Sequence, residues 1–94
     1  RVEEIIPGAF NLKQNYPNPF NPVTEIKYEI PEEGFVSLKV FNILGEEVAV
    51  LVNERQSQGN YTATFSAGIL PSGVYVYTLE SGGYTSVKKC ILMK

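Results

Sequence analysis

Residues 25–40 of the 94-residue chain read EIKYEIPEEGFVSLKV, and this stretch decides the fold. Apolar and charged side chains alternate through residues 26–30, and apolar side chains again occupy every second position in residues 36–40. A period of two is typical of strands that bury one face. The Pro-Glu-Glu-Gly segment at 31–34 carries turn residues. The stretch therefore predicts two strands joined by a turn.

The same rhythm continues along the rest of the chain. Apolar runs begin near residues 24, 35, 47, 60, 73 and 85, a spacing of 11 to 13 residues. Short strands at this spacing, with turn residues between them, are typical of antiparallel sandwiches and barrels. A short apolar-polar alternation at residues 10–14 adds an edge strand, which brings the predicted number of strands to seven.

One segment also allows a helix, because apolar residues recur at helical spacing within residues 40–56. Gly45 lies in the middle of that segment and would weaken a helix. The β-branched Val48, Val50 and Val52 favour a strand. We therefore predict a strand here.

The composition points away from catalysis and metal binding. All ten acidic residues are Glu, and the chain contains no Asp, His or Trp. Without His, neither a Ser-His nor a Cys-His nucleophile can be built, and the usual zinc ligand sets are missing. Scattered Glu residues form no oxygen cage of recognisable spacing for calcium. We expect no catalytic residues, no metal and no cofactor.

Charge and hydropathy exclude further classes of partner. The net charge of −2 provides no broad basic footprint, so nucleic acid is not expected as a partner. No apolar stretch is as long as the about 18 residues that a membrane span needs, so no membrane insertion is expected.

Residues 1–9, RVEEIIPGA, lack a signal-peptide pattern and are predicted to be a linker tail. We expect the chain to be part of a longer protein. The single cysteine, Cys90, lies in an apolar run and is predicted to be buried.

Four motifs in order resemble a known family. They are NYPNPFNP at 15–22, NILG at 42–45, SGVY at 72–75 and KKCILMK at 88–94. In this order and at these separations they resemble the type A C-terminal sorting domain of the type IX secretion system. That domain is related to the Ig-like domain of flagellar hook-capping proteins. The resemblance runs from about Asn15 to Lys94 and implies an Ig-like fold. Together with the strand pattern, it predicts an all-β, Ig-like antiparallel β-sandwich of about seven strands over residues 10–94.

The resemblance also implies a function. The domain would be a non-catalytic sorting module, covalently attached to N-terminal cargo domains of a Sec-exported protein. Its implied partners are the outer-membrane secretion translocon and a sortase-like peptidase that cleaves it off. The implied location is the periplasm in transit, then the cell surface or the medium. We expect a monomer.

Two groups of residues are candidates for recognition by the translocon. The proline-rich segment would offer a stiff, preformed surface that loses little entropy on binding. The lysines of the last strand would add positive charge, although lysines on an edge strand also prevent aggregation. The candidate recognition residues are Asn18, Pro19, Phe20, Asn21, Pro22, Lys88, Lys89 and Lys94.

A carbohydrate-binding or spacer module of a secreted polysaccharide hydrolase is the alternative. Tyr75 and Tyr77 occupy alternate positions and could stack on a sugar ring, but burial in a central strand is the commoner role. The predicted core consists of apolar residues on one face of the alternating strands, together with Phe20, the aromatic residue that precedes them. The predicted core residues are Phe20, Ile26, Tyr28, Val36, Leu38, Val40, Phe65 and Val74.

Overall fold

The computed structural model of the protein describes residues 9–94. All of its regular elements are strands. The strands are β1 (Asn11–Leu12), β2 (Val23–Ile30), β3 (Gly34–Phe41), β4 (Glu47–Gln56), β5 (Gly59–Ser66), β6 (Gly73–Ser81) and β7 (Tyr84–Leu92). Each of the six longer strands begins within one residue of the start predicted from the sequence. The linker prediction for residues 1–9 lies almost wholly outside the described residues.

The strands form two antiparallel sheets that pack as a sandwich. One sheet has the order β1-β2-β5 and the other the order β4-β3-β6-β7. The chain crosses between the sheets after β2, after β4 and after β5, as in Ig-like sandwiches. The predicted fold class is confirmed. The alternative helix is absent from residues 40–56, where β4 pairs with β3 instead.

The core lies between the sheets and follows the period-two pattern. Seven of the eight predicted core residues are buried. Val74 was predicted wrongly, because 40% of it is exposed on the outer face of β6. Both phases of β6 are apolar, and the larger side chains of Tyr75, Tyr77 and Leu79 fill the interior instead. An aromatic ring removes more apolar area from water than a valine does, which decides the phase.

Two turns depend on glycine. Gly82 and Gly83 join β6 to β7 with φ angles of 53° and 84°, the left-handed pair that a tight hairpin turn requires. Gly45, with φ of 84°, closes the turn between β3 and β4.

β7 lies at the edge of the four-stranded sheet. Its inward-facing residues near the C-terminal end, Cys90 and Leu92, are fully buried. Lys88 is half-buried and Lys89 is exposed. The edge location predicted for these two lysines is confirmed.

Candidate recognition surface

The proline-rich motif belongs to a segment that lies beside β7, and we call residues 13–22 the strap. The Gln14 side chain donates a hydrogen bond to the Lys89 carbonyl at 2.6 Å. Farther along, Asn18 Oδ1 accepts a hydrogen bond from the Ile91 N–H at 2.9 Å. The chain therefore pairs with β2 through β1 and then moves across to the other sheet.

Phe20 completes the pairing of the strap with the end of β7. Its N–H donates to the Ile91 carbonyl at 2.9 Å, and its carbonyl accepts the Met93 N–H at 3.0 Å. The resulting bridge to Leu92 is parallel. The Phe20 ring is 2% exposed and packs against Phe65 with centroids 5.6 Å apart. Phe20 thus fills the end of the core, and its ring is not accessible to a partner.

The other candidates in the strap remain accessible. Asn18, Pro19, Asn21 and Pro22 are exposed. The Pro22 carbonyl accepts the N–H of Ala67 at 2.8 Å, which fixes the strap to the loop after β5. The X–Pro bonds before Pro19 and Pro22 are cis.

Asn15 anchors the beginning of the motif in the interior. It is 2% exposed, and its amide donates to the Pro17 carbonyl at 3.1 Å and to Thr24 Oγ1 at 3.0 Å. The Tyr77 hydroxyl accepts the Asn15 N–H and donates to the Lys13 carbonyl, both at 2.8 Å. Burial raises the pKa of Tyr77 from its usual value near 10 to about 12.

Sequence reasoning missed this contribution of Asn15 and Tyr77. Tyr77 fastens the strap to the second sheet and is fully buried, while Tyr75 is 4% exposed. Neither ring can form a platform for a sugar. The Tyr75 hydroxyl donates to the Pro71 carbonyl four residues upstream at 2.7 Å, which is the tyrosine corner of Ig-like domains.

The NILG motif forms a tight turn around Asn42. Its Oδ1 accepts the N–H groups of Leu44 and Glu46 at 2.9 Å and 3.0 Å. Its Nδ2 donates to the Glu46 carboxylate at 2.7 Å. Asn42 and Gly45 supply the turn geometry, and Ile43 and Leu44 are left 77% and 78% exposed.

Parts of all four motifs meet at one end of the sandwich, which we call the motif end. The strands reach this end through the register pairs Val23–Ser66, Phe41–Val76 and Gly73–Leu92. It comprises residues 18–22, the turn 42–45, the loop 67–72 and residues 91–94. The chain enters at the opposite end, where Phe10 stacks on Tyr84 with ring centroids 4.4 Å apart.

The candidate lysines lie on and just beyond β7. Lys88 and Lys89 point to opposite faces of the strand, and the Lys94 N–H donates to Ser72 Oγ at 3.0 Å. Residues 81–94 contain these three lysines and no acidic residue. Across residues 9–94, the ion pairs are Lys39–Glu47 at 3.5 Å and Arg55–Glu33 at 3.1 Å. The structure brings Lys94 to the motif end, whereas Lys88 and Lys89 lie farther along the edge.

Cys90 is an inert part of the core. It is fully buried, and desolvation raises the pKa of its thiol to about 11. The nucleophilic thiolate is therefore scarce at neutral pH. This location confirms the prediction of a buried cysteine.

Two further features concern metal and membrane. Within residues 9–94, no three His, Cys, Asp or Glu residues come together as a possible metal site. These residues also contain no long apolar helix of the kind that spans a membrane.

Divalent metal is expected to leave the stability of the domain unchanged, because its carboxylates are dispersed over the surface. Thermal melts with EDTA and with added calcium should give the same Tm. A Tm several degrees higher in calcium would contradict this expectation.

The fold is thus an Ig-like sandwich in which parts of the four motifs lie together at one end. The family model described as "Secretion system C-terminal sorting domain" matches residues 14–93. The chain belongs to this family. No curated protein matches it.

Membership in the family gives the function in outline. The domain is a C-terminal sorting signal for type IX secretion, recognised by the translocon machinery, and its family is non-catalytic. Such a signal implies export through the periplasm to the cell surface or the extracellular space.

Proposed function

We propose that residues 10–94 form a monomeric module that takes N-terminally attached cargo domains through the outer-membrane translocon. Residues 1–9 link the module to the cargo. After export, a sortase-like peptidase removes the module, so that the cargo is released or retained at the cell surface.

The pairing of the strap with the end of β7 is the observation that carries this proposal. Asn18 and Phe20 hold Ile91 and Met93 through three hydrogen bonds of 2.9 to 3.0 Å. Two motifs some 70 residues apart in the chain therefore form one surface. A translocon that recognises a folded domain needs a surface that exists before contact, and a braced surface loses little entropy on binding.

The placement of the two ends also supports the proposal. The principal extents of the domain are 46 × 23 × 16 Å. Phe10 lies at the opposite end from the motifs, so cargo attached before it leaves the motif end uncovered. We propose Asn18, Pro19, Asn21, Pro22 and Lys94 as surface contacts for the translocon, with Phe20 as their internal support.

No observation favours the carbohydrate-binding alternative. The aromatic pair on which it depended, Tyr75 and Tyr77, is buried.

A fusion experiment tests the proposed function. A signal-peptide-bearing passenger is joined to residues 10–94 and expressed in a host with a type IX system. We expect the passenger in the medium or on the cell surface, without the domain's mass, while the same passenger without residues 10–94 stays in the periplasm. Equal retention of both proteins in the periplasm would contradict the proposal.

A further inference from the structure

β5 is an edge strand of the three-stranded sheet, with no strand paired to its outer side among the described residues. It pairs with β2 over all eight of its residues, from Gly59 to Ser66, without a register shift. Its sequence, GNYTATFS, contains no charged residue and no proline. β5 therefore presents a regular, uncharged edge.

The other edges of the sandwich carry the features that keep edge strands from pairing with other chains. β1 has only two residues. β4 has register shifts against β3 and carries the charged residues Glu47, Glu54 and Arg55. β7 carries Lys88 and Lys89, and the strap covers its end. Among the described strands, β5 alone lacks such protection.

The backbone groups that face outward from β5 can be identified from its pairing with β2. The Ala67 N–H donates to the Pro22 carbonyl at 2.8 Å, one residue beyond the last pair of the two strands. Hydrogen-bonded pairs alternate along an antiparallel ladder, so Ala63 and Phe65 bond to β2. The N–H and C=O groups of the alternate residues point away from the sheet. These residues are Asn60, Thr62, Thr64 and Ser66, and all four are exposed.

The side of the sandwich next to this edge leaves apolar side chains incompletely covered. β4 lies beside β5 there. Val52, opposite Leu38 on the inner face of β4, and Tyr61, on the inner face of β5, pack against the core but are only partly buried. Every second side chain of a strand added to β5 would face inward beside them. Apolar side chains at those positions would complete the burial of Val52 and Tyr61.

A second copy of the domain does not fit this requirement. Its own β5 could pair with the edge through backbone groups. The inner side chains of that strand, Ala63 and Phe65, are only 8% and 1% exposed, because they already fill the core of their own copy. They are not available to cover the partly buried residues of the first copy. An extended segment, in contrast, has the side chains of one whole face free.

We propose that β5 accepts an added strand from a partner protein. The occupant is an extended, uncharged segment with apolar side chains at alternate positions, bound through the outward N–H and C=O groups of Thr62 and Thr64. In this mode of recognition the main-chain hydrogen bonds supply affinity and the alternate side chains supply specificity. The surface is separate from the strap and the last strand. Only its export test rests on the proposed function, within which the segment belongs to the translocon.

Hydrogen exchange of the isolated domain tests the edge without any export. In the free domain, the N–H groups of Thr62 and Thr64 should exchange quickly, whereas those of Ala63 and Phe65 should exchange slowly. The probe is a peptide of alternating valine and threonine residues with a lysine at each end. In large excess it should slow exchange at Thr62 and Thr64 about tenfold or more. Unchanged exchange at both residues would overturn the proposal.

Export of the fused passenger tests whether the edge is used. Thr62→Lys/Thr64→Lys should lower export about tenfold or more, because lysines on an edge strand oppose pairing. Thr62→Val/Thr64→Val keeps the backbone groups and adds no charge, so it should export like the wild type. The charge control, Asn53→Lys/Thr85→Lys, places two lysines at exposed positions of the other sheet and should also export normally. Thermal melts of the isolated domains should show all variants folded.

The outcomes distinguish the proposal from its alternatives. Unchanged export of Thr62→Lys/Thr64→Lys beside an exported wild type would overturn the proposal and leave the proposed function intact. Loss of export in the valine variant would show that the threonine hydroxyls are recognised, which also overturns strand addition. If the wild-type fusion itself stays in the periplasm, the proposed function fails, and the exchange experiment still decides the edge.

Sedimentation separates a second copy from a partner strand. The wild-type domain should sediment as a monomer. A dimer that Thr62→Lys/Thr64→Lys dissociates would assign the edge to a second copy and overturn the proposal.

Discussion

Replacing Phe20 with alanine is expected to lower the free energy of unfolding by about 3–5 kcal/mol, the usual cost for a buried phenylalanine. The ring is 2% exposed and packs against Phe65 at the end of the core. Its loss leaves a cavity that the strap cannot close by moving inward, because Asn18 and the Phe20 backbone are tied to β7. Urea unfolding of the isolated domain measures the change.

Leu38→Ala is the matched control. Leu38 is fully buried in β3, outside the strap, and its truncation should cost about 2–5 kcal/mol. Two variants of similar stability can then be compared for export of a fused passenger. If export depends on the braced motif end, Phe20→Ala should export less than Leu38→Ala. A loss below about 1 kcal/mol for Phe20→Ala would contradict the observed packing.

The strands could be predicted from the sequence because alternation and turn residues are local patterns. Alternation through residues 26–30 predicted which face of β2 is buried, and turn residues predicted where the strands begin. The same reasoning failed at Val74, because both phases of β6 are apolar and a period-two rule has no preference between them. Side-chain size decided the phase, and size enters only when the two sheets pack.

The candidate surface was predictable only in part. The motifs indicated the proline-rich segment and the last strand as candidates. No local rule predicts that the Asn18 side chain accepts a hydrogen bond from the N–H of Ile91, 73 residues away. Ile43 and Leu44 belong to the NILG motif, and their exposure becomes apparent only in the structure, where Asn42 and Gly45 form the turn. Pairing between distant segments is a tertiary property.

The structural and recognition roles of the proline-rich motif support each other. Asn15 and Phe20 are buried and fasten the strap, while the exposed Pro19 and Asn21 face outward from a fixed backbone. The position of these exposed residues depends on β7, because the strap is hydrogen-bonded to the end of that strand. A change in the last strand should therefore disturb the motif, even though the two are far apart in sequence.

Deleting residues 88–94 should abolish export of a fused passenger for two reasons. The deletion removes Lys94 and the other terminal lysines, and it takes away Cys90 and Leu92, which are fully buried. The strap then loses its partners on Ile91 and Met93, and the edge of β6 is left unpaired and prone to association.

The variant Lys88→Ser/Lys89→Ser separates charge from structure, because exposed or half-buried surface substitutions usually change stability by only about 0.5 kcal/mol. If these lysines contact the translocon, export falls although the Tm is unchanged. If export is normal, the terminal strand acts through its pairing with the strap. The measurement is the fraction of passenger in the medium, with the domain's Tm determined in parallel.

A fusion truncated by residues 88–94 that reaches the medium at the wild-type level would contradict a sorting function for this end of the chain. Neither the strap's partners nor the lysines would then be needed.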